Sequence, residues 1–221
     1  MNDLPLVLVG AGLGAIEVID IIEDINKTSM KKIKIVGLLD DNPKLFNKKV
    51  LNHPVIGSLS DITLFKKENF FLNIFSYKNR FLRSKLIKSL KKNRSRFINL
   101  IHPSSLIGSK SILGKGIIIY KNCNIYSKTL IGDFCSVNIN VSIAPGAAIE
   151  SNCNIGKDVI ICSGSKIKKD SSVQFGSIAL ESSFLNEGSR LMPKSVLNFS
   201  SLRKYVVLNG NPAKVVFDEK K

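Results

Sequence analysis

Beginning at Ile107, every sixth residue of this chain is aliphatic through Leu197: Ile107, Leu113, Ile119, Ile125, Ile131, Val137, Ile143, Ile149, Ile155, Ile161, Ile167, Val173, Ala179, Leu185, Leu191 and Leu197. The chain is 44% hydrophobic. At that content, chance would give such a run on the order of one time in a million for a chosen register. The residues two positions earlier keep a second rule. From Ser105 to Ser195 they are small or no larger than valine, with the single exception of Ile117. A period of six fits neither a helix, at about 3.6, nor a simple strand, at about 2. It fits a parallel β-helix of triangular section whose flat faces each take one hexapeptide. The aliphatic residue fills the interior, and the small residue lets the chain turn at a corner. At about three faces per turn the sixteen hexads make roughly five coils. The repeat is followed by NFSSLRKYVVLNGNPAKVVF, which reads as an irregular tail.

The first hundred residues follow a different pattern. LPLVLVG (4–10) is a short apolar run ending in glycine, a buried strand. IEVIDIIEDINK (16–27) has a helical apolar face. KKIKIVGLLD (31–40) is a second strand, and a turn at Asp41-Asn42-Pro43 follows it. A short helix is predicted near 60–68, a third strand over 70–76, a basic helix over 79–93 and a fourth strand over 96–102. Strands alternating with helices predict a parallel sheet with helical crossovers. The expected organisation is therefore a small α/β domain with a Rossmann-like parallel sheet over residues 1–101, then a parallel β-helix over 102–221.

Four cysteines (Cys123, Cys135, Cys153, Cys162) share no C-x-x-C spacing, and His53 and His102 are the only histidines. That set argues against a metal site. Three of the cysteines fall on the small-residue register, as core filler. No apolar run of about 18 residues exists to span a membrane, and the N-terminus lacks a signal-peptide pattern, so a cytoplasmic location is expected. The net charge of +16 favours anionic partners. KNRFLRSKLIKSLKKNRSR (78–96) carries nine basic residues and no acidic one. It reads as an amphipathic crossover helix with its lysines in water, and as a candidate for peripheral contact with an anionic membrane. No aromatic interleaving suggests base stacking, so nucleic acid is not expected as a partner.

Gly10-Ala11-Gly12-Leu13-Gly14-Ala15 follows a strand and opens a helix. Gly10 and Gly12 permit a tight turn and close backbone approach, and the helix N-terminus favours a phosphate. Asp40 and Asp41 close the second strand, where carboxylates accept hydrogen bonds from a ribose or base. They stand late for the acidic residue of an NAD fingerprint, expected about 20 residues on. A plain turn is the competing reading for both motifs.

The order VGAGLGA, GLLDDNP, PVIGSLSD, NLIHPSS, hexapeptides and GNPAKVV resembles the left-handed β-helix (hexapeptide-repeat) sugar acetyltransferases, of the nucleotide-sugar N-acetyltransferase and sialic acid O-acetyltransferase type. The resemblance covers nearly the whole chain, and the left-handed coil is implied by it. It further implies an N-terminal domain that holds a nucleotide-sugar, often a UDP-linked amino sugar, in surface glycan biosynthesis. It implies a homotrimer with acetyl-CoA as co-substrate in the groove between neighbouring β-helices. Gly210, Asn211, Pro212 and Lys214 would lie near the CoA end of that groove, and no metal is implied.

The resemblance also implies a histidine base in a run E-H-D-C-x-I-G. Here that run is Glu150-Ser151-Asn152-Cys153-Asn154-Ile155-Gly156, and residues 103–221 contain no histidine. Serine lacks useful basicity near neutral pH. Glu150 and Ser151 therefore mark the expected transfer site, with Glu150 the one carboxylate that could substitute as base. The alternative is a catalytically inactive relative that serves as a nucleotide-sugar scaffold or sensor.

Overall fold

The computed structural model describes residues 3–74, 80–90 and 96–219. Its contacts divide the chain into two units, Met1–Leu100 and Ile101–Lys221.

The first unit is an α/β sandwich around β1 (Leu4–Val9), α1 (Gly14–Thr28), β2 (Ile33–Leu39), β3 (Lys49–Val50), β4 (His53–Gly57), β5 (Asn69–Leu72) and α2 (Arg80–Ser89). The strand order is β3-β4-β2-β1-β5. The pairs β1–β2, β1–β5 and β2–β4 are parallel, and β3 joins the edge antiparallel. Leu6, Val7, Leu8 and Val9 of the central strand are fully buried, as a strand covered on both faces requires. From α1, Ala15, Val18, Ile19, Ile21 and Ile22 are buried, the expected helical stripe.

Two sequence readings change here. The helix predicted near 60–68 is one 3-10 turn, Leu59–Thr63, opened by a Ser58/Asp61 capping box. It stops because the carbonyls of Phe65 and Glu68 are taken by the Arg96 guanidinium, which also lies 4.5 Å over the Phe70 ring. The strand predicted over 96–102 is a single bridge between Phe97 and Phe70, and Leu100–Ile101 belongs to a β-helix sheet. His53 opens β4 and pairs with Val50. The ends of the strand predicted over 70–76 and of the helix predicted over 79–93 lie outside the described residues.

The second unit is a parallel β-helix. Sixteen two-residue strands run from Leu106–Ile107 to Val196–Leu197. All but the last pair in parallel with the strand one coil on, so that Asn124 faces Ser142 and Ser142 faces Ile160. The aliphatic register becomes interior stacks, such as Ile125, Ile143, Ile161, Ala179 and Leu197 on one face. From Ile119 to Leu197 every one of these residues is buried in a single core, against which Ile107 and Leu113 pack at the open end.

The corners explain a third position of the hexad. From Lys110 to Lys194, every sixth residue has positive φ. A left-handed backbone costs a residue with a Cβ roughly 1–2 kcal/mol, and Gly, Asn and Asp bear it best. Gly116, Asn122, Asn140, Gly146, Asn152, Asp158, Gly164, Asp170, Gly176 and Gly188 occupy ten of the fifteen corners. Lys110, Lys128, Phe134, Ser182 and Lys194 take the rest.

The tail is not irregular. Val206–Gly210 extends one β-helix sheet and turns into the antiparallel strand Ala213–Asp218. Orphan backbone at the last coil would otherwise face water, and this hairpin pairs with it. Glu187 ties the closing coil together, accepting from Lys204 Nζ at 2.9 Å and from the Tyr205 hydroxyl at 3.1 Å. Lys204 foremost, with Tyr205 and Lys169, holds the Glu187 carboxyl below the usual carboxylate range. A depressed folded-state pKa adds stability above the ordinary value, lost as pH falls through the lowered one. The Tyr205 amide, which donates to Glu187 O, should therefore lose hydrogen-exchange protection below about pH 4. Glu187→Gln should remove that pH dependence.

Candidate functional site

In the α/β unit, the four predicted ligand residues converge at the C-terminal ends of parallel strands. Gly10 follows β1 with φ +112, and its N–H donates to Leu39 O at 2.7 Å. Asp40 Oδ2 accepts from Ala11 N at 2.7 Å, fastening the glycine turn to the end of β2. Asp40 Oδ1 accepts from Asn42 N at 2.8 Å. Asp41 Oδ1 accepts from Leu59 N at 2.9 Å. Asp40 is thus occupied with the turn itself, and Asp41 keeps Oδ2 for another donor.

Gly10 and Gly12 differ in kind. A Cβ on Gly10 would stand 2.7 Å from the Ile74 side chain, so glycine is needed there for packing as well as for its φ. A Cβ on Gly12 would meet no described atom within 4 Å. Nothing in the packing of the described residues demands glycine at that exposed position beside the start of α1.

A cavity of about 430 Å³ opens in this unit, lined by Asp41, Leu59, Ile74, Arg83, Lys85, Leu86 and Ser89. Its size suits a small-molecule ligand, and crevices beyond strand C-termini are where open α/β sheets bind them. Arg83 is buried, its Nε donating to Ile74 O. Arg83 and Lys85 were legible in the sequence only as members of the basic run. Their place in a cavity wall depends on a crossover that composition does not reveal.

In the β-helix, Glu150 and Ser151 sit together at a corner. Ser151 is exposed, and its Oγ accepts from Asp133 N at 3.2 Å, one coil earlier. Gly132 lies against this turn, where a Cβ would come within 2.6 Å of Ser151 N. Glu150 is half-buried, and both its carboxylate oxygens are engaged. Oε1 accepts from Lys168 Nζ, and Oε2 accepts from Lys169 N at 3.1 Å. Lys168 was not singled out in the sequence. The 18-residue coil that stacks it on Glu150 was available as three hexads and would have found it.

Gly210, Asn211, Pro212 and Lys214 form the turn of the C-terminal hairpin, with a cis Asn211–Pro212 bond. Gly210 N donates to Ser195 Oγ at 3.0 Å. The turn is exposed, and it caps the last coil, beyond the Lys168 and Asn186 coils that follow Glu150. Another hollow of about 290 Å³, absent from the sequence reading, lies on the early coils among Leu106, Asn124, Tyr126 and Ser127.

The cysteines are free thiols, with Cys123, Cys135 and Cys153 buried. Burial pushes the Cys153 thiol well up and raises Cys123 and Cys162, so these three are neutral at pH 7 and poor nucleophiles. His102 is buried, with Nδ1 2.8 Å from Ser104 Oγ and 3.1 Å from Ser104 N, a local turn contact. Among the described residues no group of His, Cys, Asp or Glu is placed to hold a metal, and no helix is long and apolar enough to cross a membrane.

A small parallel α/β sheet followed by a left-handed parallel β-helix is the architecture of known sugar acetyltransferases, and the chain has that fold. Among solved structures it is similar to perosamine N-acetyltransferase from Caulobacter crescentus, crystallised as a histidine-to-asparagine variant with CoA and GDP-perosamine. The TM-score is 0.84 at 21% identity, over 97% of each chain. It is also similar to the acetyltransferase domain of PglB from Neisseria gonorrhoeae in complex with acetyl coenzyme A. There the TM-score is 0.83 at 16% identity, over 97% of this chain and 100% of that one. WeeI from Acinetobacter baumannii matches at TM-score 0.67 and 18% identity, over 96% of this chain and 100% of that one. No family model and no curated protein sequence matches the chain.

Proposed function

We propose that this chain is a sugar acyltransferase that moves an acetyl group from acetyl-CoA to an amine or hydroxyl of a nucleotide-linked sugar, in surface glycan biosynthesis in the cytoplasm. A cavity walled by Asp41, Arg83 and Lys85, whose Ile74 packs against the Gly10 turn, carries the reading, and the open space over Gly12 supports it. A diphosphate would lie against the N–H groups at the start of α1, where the helix dipole favours negative charge. Arg83 and Lys85 supply further cationic donors, and Asp41 Oδ2 an acceptor for a ribose or base. The solved structures of this fold that carry CoA and GDP-perosamine, or acetyl coenzyme A, support the two ligand classes. The nucleoside that the family resemblance implies is uridine; the GDP-sugar in the Caulobacter protein makes guanosine the other arm of the test.

Transfer would occur at Glu150 and Ser151, with Gly210, Asn211, Pro212 and Lys214 at the CoA end. The working form would be a homotrimer. Leu106, Ile112, Leu130 and Ile160, outward-facing on the β-helix and more than 40% exposed, support a further covering of these faces. Peripheral contact with an anionic membrane through the basic segment remains part of the proposal, and most of that segment's flanks lie outside the described residues.

Gly12→Val tests the binding half directly. Its Cβ meets nothing, so the melting temperature should hold while affinity for a nucleotide-linked amino sugar falls at least tenfold, about 1.4 kcal/mol. Calorimetric titration with UDP- and GDP-amino sugars reads this out. Unchanged affinity for every sugar nucleotide that binds would refute the placement.

The second reading, a non-catalytic sensor or scaffold, is favoured by Ser151 and by the Lys168 partner of Glu150. It predicts tight sugar-nucleotide binding and no CoA release across the same panel.

A further inference from the structure

Acyl transfer to a hydroxyl and to an amine asks different things of a protein. A neutral alcohol attacks a thioester only as a base removes its proton, whereas the neutral form of an amine attacks unaided and sheds its proton afterwards. We infer that this chain supplies no general base, and that its acceptor is therefore an amine on the nucleotide-linked sugar and not a hydroxyl. This rests on the proposed function and narrows it, wherever on the β-helix the thioester lies.

Residues 103–221 contain no histidine, so a neighbouring copy of the β-helix brings none either. His102 is buried, with Nδ1 at the Ser104 turn. His53 opens β4, which runs parallel to β2, and so stands at the end of the sheet opposite the crevice that holds Asp41. Eight carboxylates remain in the second unit, all among the described residues. A carboxylate becomes a useful base near neutrality when it is buried without donors. None of the eight is so placed. Asp133 Oδ1 accepts from Lys115 N at 2.9 Å, Asp158 Oδ1 from Asn140 Nδ2 at 3.2 Å, and Asp170 Oδ1 from Asn152 Nδ2 at 2.6 Å. Glu150 and Glu187 hold Lys168 and Lys204, and Asp218 and Glu219 hold Arg203 and Arg190. The eighth, Glu181, is exposed to water.

The step balances with water as the proton carrier. The acceptor ammonium gives its first proton to water before it reacts. The neutral amine attacks the thioester carbonyl, a C–N bond forms, and the C–S bond breaks. CoA leaves as the thiolate, and water carries the nitrogen's second proton to it. The products are an amide and CoA thiol. An amine flanked by C–O bonds titrates near an α-amino group, at about 8, so roughly a tenth of it is neutral at pH 7. Holding that fraction against the thioester supplies the acceleration.

The test sets a UDP- or GDP-linked amino sugar against its counterpart with a hydroxyl in place of the amine, both shown to bind by calorimetry. CoA release by the full chain is followed with the protein-free rate subtracted. The amine should react at least about 100-fold faster, the least that a missing base costs a hydroxyl. Its kcat/KM should climb tenfold per pH unit and level off at the amine's own pKa, and the plateau should move when a sugar with a different amine pKa is used. Glu181→Gln should leave that profile in place. Comparable rates for the hydroxyl, a second inflection that stays put when the sugar changes, or loss of the rate in Glu181→Gln would each expose a base and overturn the inference. The acetylated sugar would then leave the proposed function standing. Binding of CoA and sugar nucleotide with no transfer to either acceptor would sink the proposed function, and the inference with it.

Discussion

Ser151→His should raise the rate of acetyl transfer by about 100- to 10,000-fold, the usual worth of a positioned general base. Imidazole titrates near pH 6.5, so a large neutral fraction is ready to accept the acceptor's proton at pH 7; a serine hydroxyl accepts none. The position tolerates the change. Ser151 is exposed, and the hydrogen bond its side chain contributes to the fold is the one it accepts from Asp133 N at 3.2 Å, while its backbone carbonyl, which accepts from Asp170 N, is kept by any residue. A hydroxyl acceptor should gain most, because a neutral alcohol is a weak nucleophile until its proton is removed as it attacks, whereas the neutral fraction of an amine attacks without prior deprotonation. The added histidine would stand beside a carboxylate already bonded to Lys168, so Ser151→His with Lys168→Met should exceed Ser151→His alone, with Glu150 released to orient the imidazole. Release of CoA thiol over a panel of UDP- and GDP-amino sugars measures each variant. Bound CoA and bound sugar nucleotide with no gain from either would count for the sensor reading and against a dormant transfer site.

The β-helix was legible because its constraint is periodic and local. One aliphatic residue per hexad is forced by an interior only one side chain deep, and no distant contact can relax it. The left-handed corners were equally legible and were passed over. Gly, Asn and Asp recur one residue before the small position, from Gly116 to Gly188, interrupted at Lys128, Phe134 and Ser182, and that pattern marks the bend. Non-local pairing hid the rest. Nothing in FKKENF announces that Arg96 will take two of its carbonyls and stop a helix. Nothing in RFINLIH separates Phe97, which bridges to Phe70, from Leu100, which enters a β-helix sheet.

The candidate site divides along the same line. Gly10, Gly12, Asp40 and Asp41 could be named because turn chemistry at strand ends has short-range signatures. Arg83 and Lys85 could not, since a lysine-rich helix looks the same whether it meets solvent or walls a cavity. Lys168 falls between the two cases: its role next to Glu150 follows from counting three hexads, but only once the coil is known to close at 18 residues.

Ile143→Asp should abolish folding of the β-helix at 25 °C, whereas Ser142→Asp should leave it nearly intact. The two residues are neighbours in one two-residue strand and point to opposite sides of the sheet. Ile143 is fully buried between Ile125 and Ile161, inside the shared core. A carboxylate there has neither water nor a cationic partner, since the stack above and below it is aliphatic. Even protonated it leaves polar atoms unpaired, and the destabilisation should exceed about 4 kcal/mol. Ser142 lies half-buried on the outer face, between Asn124 and Ile160, where a charge reaches solvent and a surface substitution costs about 0.5 kcal/mol. Each coil of a solenoid is supported only by its neighbours, so a broken coil in the middle cannot be bypassed, and the loss should spread along the stack. Far-ultraviolet circular dichroism with thermal melting compares the two. Equal melting temperatures would mean that the sixfold aliphatic residues do not face one common interior, and the corner proposed for transfer at Glu150 and Ser151 would lose the stacked coils that bring Lys168 and Asp133 to it.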